Sequence, residues 1–455
     1  MAGGKAGRVA PHAWIVGVSL GVPIIDLDVA PSGPEREPPS LRRRLTPPRW
    51  VLVVAVLLLA LAALGPAAPP GRQISHLLSA GGQPAAAFVL SNDSLFTASF
   101  GNSPNSESAI RRWSLPDGAL RWAAAVPQNV QNLEYDGTAH VLMGRSGAAP
   151  QVIFLDADTG AVLWHDASPN TTVVTLVDGH ALIRTDLGEH EWTVRLVDAR
   201  TGRQVWSRVI DGTGYFGVDD EYGRTPTRLI TVGALGHAVV LRYADGSVLA
   251  EGDLQVEIPQ QLDGAVGADY AAISTAGDTI YVSRRESGAT TLTAWSIASL
   301  TRRWQATGGP AGALVSDCGP VLCLGDDGLL SALDPADGRV LWQREQLAFA
   351  YAFDEKSLLA YDLSPDQRAT LLEPETGAVL LALGSVVDLR GVLLRADVAR
   401  LGRTWVQVLG GDGALHVVGG LDTAVPFGCE SQGPYLACPT TSGPTQVWRL
   451  PAHLS

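Results

Sequence analysis

Asp156-Ala-Asp-Thr-Gly-Ala-Val-Leu-Trp164 is followed forty-two residues on by Asp198-Ala-Arg-Thr-Gly-Arg-Gln-Val-Trp206, and a close variant reads Asp334-Pro-Ala-Asp-Gly-Arg-Val-Leu-Trp342. The chemistry of the phrase is local. Alternating apolar residues ahead of it (Val152 and Phe154; Val194 and Leu196) predict a half-buried strand. Asp-x-x-Thr-Gly then predicts a tight turn, because the Asp carboxylate can accept from backbone N–H groups two residues on and Gly takes positive φ without penalty. The strand that follows ends in Trp, whose ring covers apolar surface while its N–H needs an acceptor. Each phrase therefore predicts the last hairpin of an antiparallel sheet.

Degenerate copies fill the gaps. Leu115-Pro-Asp-Gly-Ala-Leu-Arg-Trp122 comes first, and Ala244-Asp-Gly-Ser-Val-Leu-Ala250 keeps the turn without the Trp. Trp295-Ser-Ile-Ala-Ser-Leu-Thr-Arg-Arg-Trp304 keeps the Trp without the Gly, Pro374-Glu-Thr-Gly-Ala-Val-Leu-Leu381 has Leu at the Trp place, and Gly411-Asp-Gly-Ala-Leu-His-Val417 is the weakest copy. Successive Trp places lie about 36 to 54 residues apart, near the length of one four-stranded propeller blade. Two short strands precede each hairpin, as in Val173–Val177 and Ala181–Arg184 around Asp178-Gly179. No long helical period follows residue 70.

Over residues 72–451 the chain resembles the pyrroloquinoline-quinone-like propeller family, which carries Ala-x-Asp-x-x-Thr-Gly-x-x-x-Trp once per blade. The resemblance implies an all-β propeller in which Trp122, Trp164, Trp206, Trp304 and Trp342 dock neighbouring blades. Eight hairpin phrases predict eight blades. Three further strands, near 427–430, 435–437 and 446–450, are left over, and Arg72–Ser79 is available to join them. That arithmetic gives nine units, above the usual range of about four to eight. Discounting residues 386–421 as an incomplete unit keeps the expectation at eight.

Residues 1–49 are rich in Pro, Arg and Glu over Ala30–Pro48, which predicts a disordered tail, with an odd apolar stretch at Trp14–Leu27. The uncharged run Trp50–Ala68 reaches the roughly 17–25 residues of a spanning helix once its Gly65-Pro66 end is counted. Arg42, Arg43, Arg44 and Arg49 on its N-terminal side predict a cytoplasmic tail and an extracytoplasmic propeller at the plasma membrane. The long charged lead favours an uncleaved signal anchor over a cleaved signal peptide. The expected domains are thus a tail at 1–49, an anchor at 50–68 and a propeller at 72–455.

The cysteines fall as two pairs, Cys318 with Cys323 and Cys429 with Cys438, each flanking a Gly-Pro turn between strands. Opposed strand positions are close enough for bridging, and an even count in an exported domain predicts two disulfides. The net charge of −13, from 33 basic and 46 acidic residues, disfavours a nucleic-acid partner. Lys occurs only at Lys5 and Lys356, a bias resembling that of GC-rich genomes such as those of actinobacteria.

The quinone-dependent dehydrogenases of the same family clamp their cofactor with stacked aromatics and calcium, and the alcohol-oxidising branch adds an adjacent Cys-Cys disulfide. This chain has no Cys-Cys pair and no stretch matching their calcium and base motifs. The turn acids Asp156, Asp158, Asp198, Asp334 and Asp337 lack the spacing of a calcium loop. His165, His180, His190 and His237 stand apart without metal-ligand spacing. The expectation is therefore no catalytic, cofactor or metal site. The expected function is a membrane-anchored scaffold or ligand sensor for a protein or envelope polymer, with a quinone- or calcium-dependent dehydrogenase as the alternative. Tyr215, Phe216 and Tyr222, in a connection rich in acids, form a candidate binding loop; the plainer account makes Tyr215–Val218 an inner strand. The nearest functional analogy is the outer-membrane assembly propeller of Gram-negative bacteria, on fold alone.

Overall fold

In the computed structural model, described residues span 74–451 except 82–84, 100–107, 127–129, 147–151, 169, 189–190, 212–213, 220–224, 257–269, 287–288, 308–314, 327, 365, 398–401, 423 and 441–442. All of them belong to the unit Ala68–Ser455. The expected tail at 1–49 and anchor at 50–68 lie outside the described residues. Within the described residues no helix is long and apolar enough to cross a membrane.

The described residues form nine four-stranded antiparallel sheets, not eight. Blades 1 to 8 are consecutive in the chain, at residues 85–126, 130–166, 171–211, 215–253, 270–307, 315–345, 347–385 and 387–422. In each, the first strand is innermost and the fourth outermost. Blade 9 takes its three inner strands from Glu430–Gln432, Tyr435–Cys438 and Thr445–Arg449 and its outermost strand from Ser75–Ala80. The closing ladder runs from Ser75 opposite Arg449 to Ala80 opposite Thr445.

Two features explain the miscount. Residues 387–422 make a complete blade although Val417 stands at the docking Trp place of the phrase: Val392, Leu393, Leu394 and Val406 alternate into buried layers on either side of the sheet. Blade 9 has no third-to-fourth turn, because those two strands come from opposite ends of the chain, so it cannot carry the phrase. Burial of alternate strand faces between neighbouring blades, not the phrase, decides how many sheets the ring holds.

Both expected disulfides are present, Cys318–Cys323 with Cα atoms 5.8 Å apart and Cys429–Cys438 at 4.2 Å. All four cysteines are buried. Each bridge ties the two innermost strands of its blade, blade 6 and blade 9.

Candidate functional site

Two belts of contacts join the blades, and between them they use most of the residues that the sequence singles out. The outer belt is the Trp joint. Trp122 Nε1 donates to Ala157 O at 2.9 Å, Trp164 to Ala199 O at 2.8 Å, Trp206 to Tyr243 O at 2.8 Å, Trp304 to Pro335 O at 3.0 Å and Trp342 to Pro374 O at 2.7 Å. Every acceptor stands three residues before the turn glycine of the next blade. Those glycines (Gly160, Gly202, Gly246, Gly338 and Gly377) have φ between 66° and 75°, and a Cβ on any of them would meet the docked indole at 2.4–2.8 Å. The Trp and the Gly of one phrase thus belong to different joints.

Where the Trp is missing the joint is rebuilt. Ala250 of blade 4 faces a blade 5 turn in which Leu300 occupies the glycine place, with φ 50° and the same hydrogen bond from its N–H to Ser296 O. Leu300 is buried in one apolar cluster with Ala250, so the volume given up by the indole is refilled from the other side of the joint. Leu381 of blade 7 packs instead with Leu409 and Leu415 of blade 8.

The turn acids serve their own backbone. Asp156 Oδ1 accepts from Asp158 N, Thr159 N and Thr159 Oγ1, and Asp198 Oδ1 from Thr201 N and Oγ1. Asp334 and Asp337 accept from Ala336 N and Arg339 N, and Asp158 pairs with Arg112 at 2.7 Å. Hydrogen bonding from Arg200 holds the Asp156 carboxyl down at about 2. Among the described residues no group of three or more His, Cys, Asp or Glu could hold a metal ion.

The inner belt joins innermost strands. Tyr215 OH shares a hydrogen bond with Thr275 Oγ1 at 3.0 Å, Val315 N donates to Ser274 Oγ at 3.2 Å, and Ser316 Oγ donates to Ala350 O at 3.0 Å. Tyr351 OH donates to Asp388 Oδ2 at 3.2 Å, Ser431 Oγ to Leu389 O at 2.9 Å, and Leu90 N to Glu430 Oε2 at 2.8 Å. Tyr215 and Phe216 therefore lie on the innermost strand of blade 4, Tyr215–Val218. Phe216 meets Trp192 edge-on, 6.0 Å between ring centres, with the Arg184 guanidinium over both rings. Both residues are half-buried and engaged between blades; Tyr222, the third residue of that candidate loop, lies outside the described residues.

A cavity of about 780 Å³ opens where the innermost strands of blades 7, 8, 9 and 1 meet. It is lined by Tyr351 and Phe353 of blade 7, by Asp388 and the turn Leu389-Arg390-Gly391 of blade 8, by Glu430–Gln432 of blade 9 and by Val89 and Leu90 of blade 1. The turn places it at the same end of the blades as the phrase turns. Burial pushes the Asp388 carboxyl up against hydrogen bonds from Gly391 N and Tyr351. Burial likewise pushes Glu430 up against its bond from Leu90 N. Tyr351 is pushed up by burial, and further by Tyr361 and Asp388. These residues went unnoticed in the sequence because each sits in a different unit as one more polar residue of a short strand. A carboxylate at an innermost-strand position that packs against the next blade is the signal that would have found them.

A family model described as outer membrane protein assembly factor BamB matches residues 67–306 and 193–385, more than half of the 455 residues. The chain belongs to that family. The match ends before Asp388 and Glu430, so most of the residues lining the cavity lie beyond it. No curated protein matches the chain. Among solved structures, BamB from Moraxella catarrhalis is 12% identical, with 80% of this chain and 93% of that chain covered and a TM-score of 0.42. Saccharomyces cerevisiae Sqt1 is 12% identical over 76% and 98%, with a TM-score of 0.45. A structure described as the eukaryotic initiation factor is 12% identical over 79% and 99%, with a TM-score of 0.52. At such identities a likeness speaks to fold alone, and the last of the three supports the propeller ring.

Proposed function

We propose that this chain is a non-catalytic, membrane-tethered scaffold whose propeller holds a protein partner outside the cytoplasm. The observation that carries the reading is the match over 67–385 to a family described by an assembly factor. Two others agree with it. The polar side chains of the repeated phrase are spent on turns and inter-blade joints, leaving the rims and the channel mouth to face a partner. Two disulfides suit an oxidising compartment outside the cytoplasm, the side that the arginines flanking the run Trp50–Ala68 favour for the propeller.

Proximity labelling from the propeller in the native host tests the scaffold. One envelope protein or complex should be enriched over a control in which an unrelated exported domain is fused after residue 71. Equal labelling of both would remove the reading. The tether is tested separately: the full chain should stay in the membrane after alkaline carbonate extraction, and deletion of residues 50–68 should release it. Adding pyrroloquinoline quinone and calcium to the purified protein tests the dehydrogenase alternative; a visible chromophore with dye-linked oxidation of an alcohol or sugar would overturn the non-catalytic reading.

A further inference from the structure

We propose that the cavity between blades 7, 8, 9 and 1 receives a lysine or arginine side chain from an extended segment of a protein partner. The proposal rests on the scaffold reading and names the chemistry that such a partner must present.

The argument starts from an imbalance of charge. Asp388 and Glu430 enter the cavity from adjacent blades, and their recorded partners are neutral: Gly391 N and Tyr351 OH for one, Leu90 N for the other. Among the described residues neither forms an ion pair. Three other partly buried acids of this ring have a cation beside them: Asp166 has Arg195, Asp219 has Arg228, and the charge of Arg145 acts on Glu134; buried Asp136 is held instead by three backbone N–H groups, of Thr138, Ala139 and Gly179. A buried carboxylate without a cation is costly, and an incoming cation relieves the cost. Among the described residues Arg390 is the one cation lining the cavity; it is exposed and makes no ion pair there.

The walls fit the rest of such a side chain. Tyr351, Phe353, Val89, Leu90 and Leu389 supply aromatic and apolar surface for a methylene stem, and an aromatic face is a favourable neighbour for the charged head. The volume lies within the roughly 300–1,000 Å³ typical of ligand pockets, ample for one side chain with its flanking backbone. Ser431 Oγ, which donates to Leu389 O, and Gln432, whose Nε2 donates to Asn92 Oδ1, have oxygens that can accept from that backbone. The acidic balance of the chain draws a cationic segment towards the ring.

The test uses the full-length protein in detergent micelles and calorimetric titration with blocked pentapeptides, acetyl-Gly-Gly-X-Gly-Gly-amide. Peptides with X as lysine or arginine should bind, and that with Nε-acetyl-lysine should bind at least about tenfold more weakly. E430Q, which keeps an acceptor for Leu90 N, should weaken the lysine peptide by about tenfold, as should D388N, with melting temperatures not lowered. Equal affinity for lysine and acetyl-lysine, full affinity in E430Q, or no binding of either cationic peptide at millimolar concentration would overturn the site. Cadaverine binding as tightly as the lysine peptide would reassign the site to a free amine and overturn the partner segment. A cellular partner that labels E430Q as well as wild type keeps the scaffold and removes this site; peptide binding without any cellular partner does the reverse.

Discussion

Gly377 and Trp342 stand so close that a Cβ on the glycine would fall 2.6 Å from Cδ2 of the indole. The glycine also has φ 66°, so its backbone and its neighbour both demand the missing side chain. G377A should destabilise the protein by about 1–3 kcal/mol, and W342A by about 3–5 kcal/mol at the upper end for a half-buried ring. The double variant should lose less than the sum, because removing the indole removes the clash. Strict additivity in urea denaturation would show that the pair does not act as one joint.

The Ala250 and Leu300 joint can be converted to the common form. A250W should overpack its seam by about 1–3 kcal/mol, and L300G should leave a void costing about 2–5 kcal/mol, part of it offset by relief of the positive φ at Leu300. Together they should recover at least about 1 kcal/mol relative to the sum. A double variant as unstable as the sum, measured by chemical denaturation, would mean that leucine and indole do not exchange places here.

Both bridges should contribute to stability, within the range of about 2–4 kcal/mol seen for disulfides, with the lower end expected of short loops. The sequence separations are 5 and 9 residues, so C429S/C438S should cost slightly more than C318S/C323S. Mass spectrometry of the denatured protein should show alkylation of four thiols after reduction and of none before it.

Titration should separate the cavity acids from the turn acids. Glu430 holds its proton more tightly when folded than when unfolded, since burial raises its pKa. Its contribution therefore falls as pH rises from the ordinary carboxylate range through the folded value. E430Q should be more stable than wild type at pH 7, with the gap closing below the ordinary carboxylate range. Asp156, held at about 2 chiefly by Arg200, has the opposite sign: its stabilisation is complete above the ordinary range and is lost as pH falls towards 2. D156N should thus be less stable than wild type at neutral pH and match it in strong acid. Melting temperatures of the two variants from about pH 2 to 7 check both slopes; parallel curves would contradict them.

How much of this was legible in the chain differs from joint to joint. Asp156, Thr159, Gly160 and Trp164 announce their turn and strand because the phrase needs only local chemistry. The partner of Trp164 was not legible, since Ala199 O and Gly202 belong to the next copy. Blade 8 was undercounted because Leu381 and Val417 hold the indole place on either side of it, and apolar burial there leaves no motif. Blade 9 was split between termini by the ring itself. The cavity was least legible: Tyr351, Asp388 and Glu430 are about forty residues apart in sequence and meet only because consecutive innermost strands crowd one axis.

The ladder between Ser75–Ala80 and Thr445–Arg449 also sets a timetable. The first strand of the ring to be synthesised is the last to find its neighbour, because that neighbour is made some 365 residues later. Until then its unpaired edge is open to wrong partners, including the same strand of another nascent chain. A ribosome stalled anywhere before Thr445 therefore holds a chain that cannot close, and loss of only the last dozen residues should be as damaging to the ring as loss of the first strand.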